Sequence, residues 1–451
     1  MKHDLIFLLL YEDEVMLIST SDYLMKRLDI NYEHYLDNLV PITILFEVVG
    51  CLAAGVLSDL SGRRLVVFLS SGMSFIGVLV MYLSTNYTTL IISRIALGSG
   101  IGMGYLSIPL YIAELSPPSA RSVLALFPEV LFNVGFLFAS IVHLKLSKVS
   151  KHLEWLGFFA LSAISSLVIT LFLLVMPESP SWLMRQGHVA DATRTIMNCT
   201  RRVEEAYDRI NLMRFIIGVS IDDTRDVVDS IPREIRGEIF IWRELICSTP
   251  EIAKISLSVD MLQVIQQLTA INSLISSSTP LLVYSFITEH NATQVGLLCV
   301  MCLKTITLLA PMLMLDKYGH FRLLFISIIG TAVSLGLLGI MYFSIHSSHK
   351  FTTAHDIFAI LCVFTFAGSF SLGLGPLPYI YNAEVFPYRL RAQGTSFAIA
   401  ISRSVWYFMY LSSTTLYKWL PFGMVLTIRA IIIGALMIWG HIRESRQENI
   451  D

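Results

Sequence analysis

The sequence predicts an all-α membrane protein of about twelve spanning helices in two sets of six. Three observations predict it. Hydrophobic residues make up 55% of the 451 and charged residues 15%, whereas a water-soluble domain carries about 25% charged residues. Apolar runs of spanning length recur along the chain. One charged segment, Arg185–Glu244, interrupts that series near its middle. The net charge of −2, with no basic block and no acidic tail, gives a nucleic-acid partner nothing to bind. The expected surroundings are a lipid bilayer.

A helix rising 1.5 Å per residue needs about 20 apolar residues to cross a core of about 30 Å. Leu65–Tyr87, Ile95–Ala113, Leu156–Met176, Leu323–Phe343 and Ile357–Ala383 are apolar runs of this kind. Others carry an isolated charge: Asn38–Ser58 with Glu47, Ser122–Val142 with Glu129, Ile255–Ile287 with Asp260, Val295–Leu315 with Lys304, Ala392–Tyr417 with Arg403, and Leu420–Gly440 with Arg429. A first helix near Leu5–Ser19 is short or truncated, lacking about ten apolar residues of a full span. Glu12, Asp13 and Glu14 follow the opening apolar residues at once, which argues against a cleavable signal peptide. The chain therefore divides into an N-terminal bundle at 1–176, a linker at 177–250 with short amphipathic helices such as Val189–Cys199 and Glu204–Phe215, and a C-terminal bundle at 251–451.

Lys and Arg in short loops set orientation. Arg63, Arg64, Arg121, Lys317, Arg322, Arg389, Arg391, Arg443 and Arg446 share one side with the arginine-rich linker, which predicts that side to be cytoplasmic. The sequons at Asn86 and Asn291 fall on the opposite side and predict a glycoprotein of the plasma membrane. The six cysteines lie mostly in apolar stretches; the Cys299/Cys302 pair has no second pair or nearby histidine, so no metal site is expected. No Ser/His/Asp set or phosphate loop calls for an enzyme or a cofactor.

The functional signals stand at helix ends. Gly55-Val-Leu-Ser-Asp59-Leu-Ser-Gly62-Arg63-Arg64 closes one helix and opens the next, and Asp316-Lys-Tyr-Gly319-His320-Phe-Arg322 repeats it in the second half. Such an internal repeat is the mark of a transporter whose site lies between related halves. Arg94 and the glycine series Gly98, Gly100, Gly102 and Gly104 precede Glu114 and Arg121, two residues able to pair. Gly375-Pro-Leu-Pro-Tyr379, Glu384 and Arg391 are their counterparts. Pro177-Glu178-Ser-Pro-Ser-Trp-Leu183 ends the first half, and Gln266-Gln267-Leu-Thr-Ala-Ile-Asn272 lies within the Ile255–Ile287 run.

Together these residues resemble the sugar porter family of the major facilitator superfamily, from about Tyr11 to Glu444. The resemblance implies the major facilitator fold and secondary transport of a small polar solute, a sugar or related compound, by alternating access. It also implies a conformational latch at Asp59, Arg63, Glu114, Arg121, Glu178, Glu384 and Arg391. A hexose site needs uncharged donors and acceptors with an aromatic ring. Gln266, Gln267 and Asn272 meet the first need, or else they bond neighbouring helices. Tyr379 stands where the family has tryptophan.

Departures leave other readings open. Glu129 and Lys304 occupy cavity positions in opposite bundles, where they can pair or bind a charged substrate. Glu12 and Arg94 match the acid and arginine of the family's symporters, which admits a proton as co-substrate. The loop motifs alone also fit organic-ion transporters, and the short first helix with its altered site fits a non-transporting sensor.

Overall fold

The computed structural model describes residues 39–146, 151–200, 202–218, 227, 250–269, 292–348, 353–419 and 425–434. Among these the regular structure is helical throughout. Among the described residues six helices are long and apolar enough to span a membrane, or seven if the bent pair Phe159–Val175 and Pro180–Gln186 is one span. The expected segment Leu5–Ser19 with Glu12, the end of Ile255–Ile287 with Asn272, and the sequon at Asn291 lie outside the described residues.

The chain forms two compact units that are not contiguous in sequence. Among the described residues, one takes those within 1–132, 155–260 and 379–404, and the other those within 133–154, 261–378 and 405–451.

The first unit is organised by three long helices: α1 (Val40–Ser61), α2 (Arg63–Leu83) and α3 (Tyr87–Leu115). In α3, 89% of the apolar window is buried, against 44% in α1 and in α2, so α3 is the inner helix. Its glycines explain how. A Cβ on Gly98 or Gly102 would collide with the backbone carbonyl oxygen of Thr43 or Glu47 on α1, and one on Gly100 would meet Ser74 on α2. Without those methyls the backbones approach and small polar side chains join them: Cys51 Sγ donates to Gly102 O at 3.1 Å and Ser70 Oγ to Gly100 O at 2.7 Å. At the start of α3 the Thr89 hydroxyl accepts from the Asn86 N–H at 3.3 Å and donates to Asn86 O at 2.7 Å.

Beyond α3 lie a helical turn, α4 (Arg121–Leu124), then α5 (Phe127–Leu146) and α6 (Lys151–Val175). The expected Ser122–Val142 run is thus interrupted at Ala125–Leu126, and its helix begins beside Pro128. The linker then folds into α7 (Pro180–Gln186), α8 (Val189–Cys199) and α9 (Val203–Ile217). Gly187 at φ 90° and Gly218 at φ 77° end α7 and α9 in a left-handed conformation that side chains disfavour. Met184, Val189, Ala192, Ile196, Ala206, Ile210, Met213 and Ile217 form the core of these three short helices, with Tyr388 packed against it. Each Met, Val or Ile among them contributes about 1.5–3 kcal/mol on burial, so helices of this length, unstable alone, hold together. The amphipathic helices expected at Val189–Cys199 and Glu204–Phe215 are both present.

Helix α10 (Pro250–Leu268) begins in the first unit, where Val259 packs with Phe386 and Ala398. The second unit holds α11 (Ala292–Tyr318), α12 (His320–Ser348) and α13 (Thr353–Leu372). Gly319, at φ 78°, makes the tight turn between α11 and α12, the structural repeat of Gly62. The expected Ile357–Ala383 run is present as one candidate span, Ile357–Asn382, with a break in its helix. Turns at Gly373–Pro376 separate α13 from α14 (Leu377–Val385), because Pro376 lacks an N–H donor. The broken backbone is held from the side: Ser327 Oγ donates to Ser369 O at 2.6 Å and accepts from Leu374 N at 2.9 Å. Helix α15 (Arg391–Trp419) and the shorter apolar helix Val425–Gly434 end the described chain.

Candidate functional site

Three polar clusters stand out against the apolar helices. The first surrounds the turn between α1 and α2. Gly62, at φ 94°, reverses the chain there, and Arg63 turns inward to become fully buried. Its guanidinium meets both oxygens of Glu114, Nε to Oε2 at 2.9 Å and Nη2 to Oε1 at 3.1 Å. This two-point geometry suits a planar cation and a carboxylate. Arg63 Nη1 also donates to Ser58 O at 2.8 Å and lies 3.5 Å from Asp59. Asp59 is shared: Arg185 donates to Oδ1 at 2.8 Å and Gln393 to Oδ2 at 3.2 Å, while Trp182 Nε1 donates to Asp59 O at 3.0 Å. Ser179 Oγ donates to Glu114 Oε2. Glu178 Oε1 accepts from the backbone N–H of Arg63, Arg64 and Ser179 at 2.8–3.1 Å. A carboxylate here satisfies otherwise unpaired N–H groups and the positive end of the α2 dipole.

Arg209 of α9 closes the far side of this cluster. It donates to the carbonyls of Glu114, Leu115 and Ser116 at the end of α3. These are carbonyls the helix itself leaves unsatisfied. Burial, with the charge of Arg121 adding to it, pulls the Arg209 guanidinium below its usual range. On the outside, Ser119 N–H and Oγ both donate to Glu205, which holds that carboxyl below the ordinary range.

Of the sequence-predicted latch residues, the structure joins Asp59, Arg63, Glu114 and Glu178. It binds Glu114 to Arg63 and Ser179, where the spacing suggested Arg121. Arg121 lies two turns beyond the end of α3, and its Nε has no partner among the described residues. Arg391 is buried, stacks over Tyr388 at 4.2 Å and donates to Phe386 O. Glu384 lies on α14. Sequence reasoning missed Ser179, Arg185, Arg209 and Gln393.

The second cluster lies deeper in the same unit. Arg403 of α15 is 3.8 Å from Glu47 Oε2 of α1, donates to Tyr105 Oη of α3 at 3.0 Å and stacks on that ring at 3.8 Å. It also hydrogen-bonds the Tyr379 side chain, and Glu129 acts on Tyr105 and Tyr379 through its charge. Glu129 thus lies near the two tyrosines that Arg403 bonds, inside its own unit. Lys304 belongs to the other unit, where it is buried with its ammonium 5.6 Å from the Phe370 ring centroid. Arg94 is buried in α3. Arg403 stands out in the sequence as an isolated charge in an apolar run, with no role that its spacing assigns.

The third cluster is on the second unit's share of α10. Gln263 and Gln266 are buried, and Gln267 half-buried. Gln266 Nε2 donates at 3.0 Å to Gly375 O, a carbonyl released by the break between α13 and α14. Gln266 Oε1 and Gln263 Nε2 have no hydrogen-bond partner among the described residues. Leaving such groups unmet costs about 1–3 kcal/mol each. Gln263 was missed, although its spacing of three and four to Gln266 and Gln267 puts all three on one helix face. The arrangement offers uncharged donors and acceptors, the chemistry of hydroxyl recognition. No group of three or more His, Cys, Asp or Glu able to hold a metal occurs among the described residues.

These are the fold and polar helix faces of a membrane transporter, and comparison with known proteins agrees. The family model for sugar (and other) transporters matches residues 16–439. The chain belongs to that family: it is a multi-pass integral membrane protein that moves a small polar solute by alternating access. Polyol transporter 5 of Arabidopsis thaliana is 32% identical over 360 residues, covering 80% of this chain and 67% of that one. Putative polyol transporter 1 of the same plant is 30% identical over 406 residues, covering 90% and 79%. The fold matches the major facilitator proton:xylose symporter XylE bound to 6-bromo-6-deoxy-D-glucose with a TM-score of 0.80, at 19% identity over 97% of this chain and 93% of that one.

Proposed function

We propose that this chain is a proton-driven transporter of polyols and related uncharged sugars in the plasma membrane. The observation that carries the reading is the glutamine face of α10. Gln263 and Gln266 hold uncharged polar atoms that are unmet among the described residues, beside a broken helix, and a polyol's row of hydroxyls can donate to one and accept from the other. Backbone released by helix breaks is tolerated in a membrane where it lines protein or a solute path. The names of the polyol transporter relatives favour polyols over organic ions, and the matched proton symporter favours coupling. Tyr379 and Asn272 are the further substrate residues of this reading, and Glu12 with Arg94 its proton pair by resemblance. Asp59, Arg63, Glu114, Arg121, Glu178, Glu384 and Arg391 act as the conformational latch. The chain-order division into 1–176, 177–250 and 251–451 describes the two repeated halves and their linker. The solute crosses chemically unchanged.

Purified protein in vesicles tests this. Radiolabelled sorbitol, mannitol and myo-inositol are expected to accumulate when the interior is alkaline, and to be displaced by unlabelled polyol. Uptake confined to organic ions, or polyol uptake indifferent to the pH gradient, would contradict it.

A further inference from the structure

Tyr379 can serve as a substrate residue only if its side chain is held in one direction, and the second cluster of the first unit supplies the means. We propose that Arg403 is a positioning residue of the solute site: it fixes the Tyr379 phenol toward the polyol without touching the polyol itself. This inference rests on the proposed polyol site and adds a residue to it.

Tyr379 stands in the first turn of the short α14, just past the turns at Gly373–Pro376. The hydrogen-bond ladder of α13 ends before those turns and gives Tyr379 no direction. The side chain is half-buried. Arg403 anchors it from well inside the long, continuous α15. The guanidinium is itself held from two further helices. It stacks on the Tyr105 ring of α3 at 3.8 Å, donates to Tyr105 Oη at 3.0 Å, and lies 3.8 Å from Glu47 Oε2 of α1. From that seat it hydrogen-bonds the Tyr379 hydroxyl. All four residues belong to the first unit. Arg403 is 7% exposed and Tyr379 more so, which makes the tyrosine the member of the pair that a solute can reach.

A charged side chain inside a spanning helix is expensive, and an apolar one would pack between two rings at lower cost. What an apolar side chain lacks is a donor of fixed direction. A guanidinium carries five N–H donors in one plane and no acceptor. The Tyr379 oxygen therefore accepts from Arg403, and the phenol's own proton points away from the guanidinium. Stacking on Tyr105 sets the plane of the fork, and the fork sets the phenol. Lysine would keep the charge and lose both the plane and the fork. A tyrosine oriented before the solute arrives has little freedom left to lose on binding, which strengthens the contact it makes.

The experiment has two arms. In the first, sorbitol affinity of the purified protein is read by calorimetric titration. Tyr379→Phe and Arg403→Lys are each expected to weaken binding about tenfold, the effect of one hydrogen bond. The lysine variant is chosen because it keeps a cation beside Glu47. The double variant is expected to bind no more weakly than either single one, because both substitutions remove the same contact. Arg403→Lys combined with Gln266→Leu is expected to multiply to about a hundredfold loss, since the α10 face meets the solute separately. A general disturbance of the fold would multiply in both backgrounds. The second arm needs no ligand: a fluorotyrosine placed at position 379 should shift its fluorine resonance in Arg403→Lys and keep it in Gln266→Leu. Wild-type affinity in Arg403→Lys, multiplication with Tyr379→Phe, or an unmoved resonance would overturn the proposal. A wild type that binds no polyol would defeat the polyol reading, and the fluorine arm would still decide whether Arg403 holds Tyr379.

Discussion

The charged cluster at the α1–α2 turn and the glutamine face of α10 are both buried and polar, yet they are built in opposite ways. Around Arg63 the partners are plural: two carboxylates, a carbonyl and a serine close the network, and Arg209 covers the end of α3. On α10, Gln266 has one bond, to Gly375 O, and its oxygen and the Gln263 nitrogen find no partner among the described residues. The Arg63 network spends most of its polar groups on one another, although Ser58 Oγ, Arg185 Nη1 and Arg209 Nε also lack a hydrogen-bond partner among the described residues. Under the proposed function the first cluster serves as scaffold and latch, and the unmet glutamine atoms of α10 as a recognition surface.

Breaking the scaffold has the largest expected effect. Arg63→Ala leaves Glu114 as a buried charge without its main partner, and such a loss costs about 3–5 kcal/mol. Thermal unfolding in detergent should show it as a collapse of the melting temperature. The paired change to Arg63→Met/Glu114→Met should recover part of that loss, which a double-mutant cycle reads directly.

Arg209→Ala removes a charged donor from three carbonyls, and bonds of this kind are each worth about 1.5–3 kcal/mol. The melting temperature should fall less than in Arg63→Ala, while hydrogen exchange should quicken at Leu115 and Ser116.

The α10 face sharpens the contrast from the other side. Gln266→Leu should change stability by no more than about 1 kcal/mol, since it removes one bond and one unmet atom together. Its polyol uptake should drop about tenfold in kcat/KM, the value of one hydrogen bond to the solute. Equal stability losses in Gln266→Leu and Arg63→Ala would erase the distinction.

The smallest effect concerns Glu205, which is exposed. Its carboxyl is held below the ordinary range by Ser119, so the contact contributes fully above the unfolded-state value and is lost as pH falls through the folded one. Glu205→Gln should speed exchange of the Ser119 amide at neutral pH. At strongly acidic pH the variant and wild type should exchange alike.

What the sequence made legible was periodic or local. Apolar runs gave the helices, Gly62 and Gly319 the repeated turns, and the stripe from Val189 to Cys199 an amphipathic helix. Partners far apart in the chain were not legible. Arg185 meets Asp59 across 126 residues and Gln393 meets it across 334, and no spacing rule reports such a meeting. Glu114 and Arg121 flank one turn and so read as able to pair, but the helix ends at Leu115 and a separate turn, Pro118–Ala120, comes before Arg121. The break at Gly373–Pro376 was hidden within a hydropathic run, though its glycines and proline were in view. Arg403 could not be assigned because a helix's inner face is set by its neighbours.

The proposed polyol site is the glutamine face of α10, whereas the Arg63 network is assigned to the fold and its conformational latch. Polyol-induced thermal stabilisation of purified protein tests this most directly, because a ligand that binds the folded state raises the melting temperature by mass action. Wild type should melt higher in excess sorbitol, and Gln266→Leu, with its own melting point nearly unchanged, should lose that shift. A shift of wild-type size in Gln266→Leu would contradict the claim.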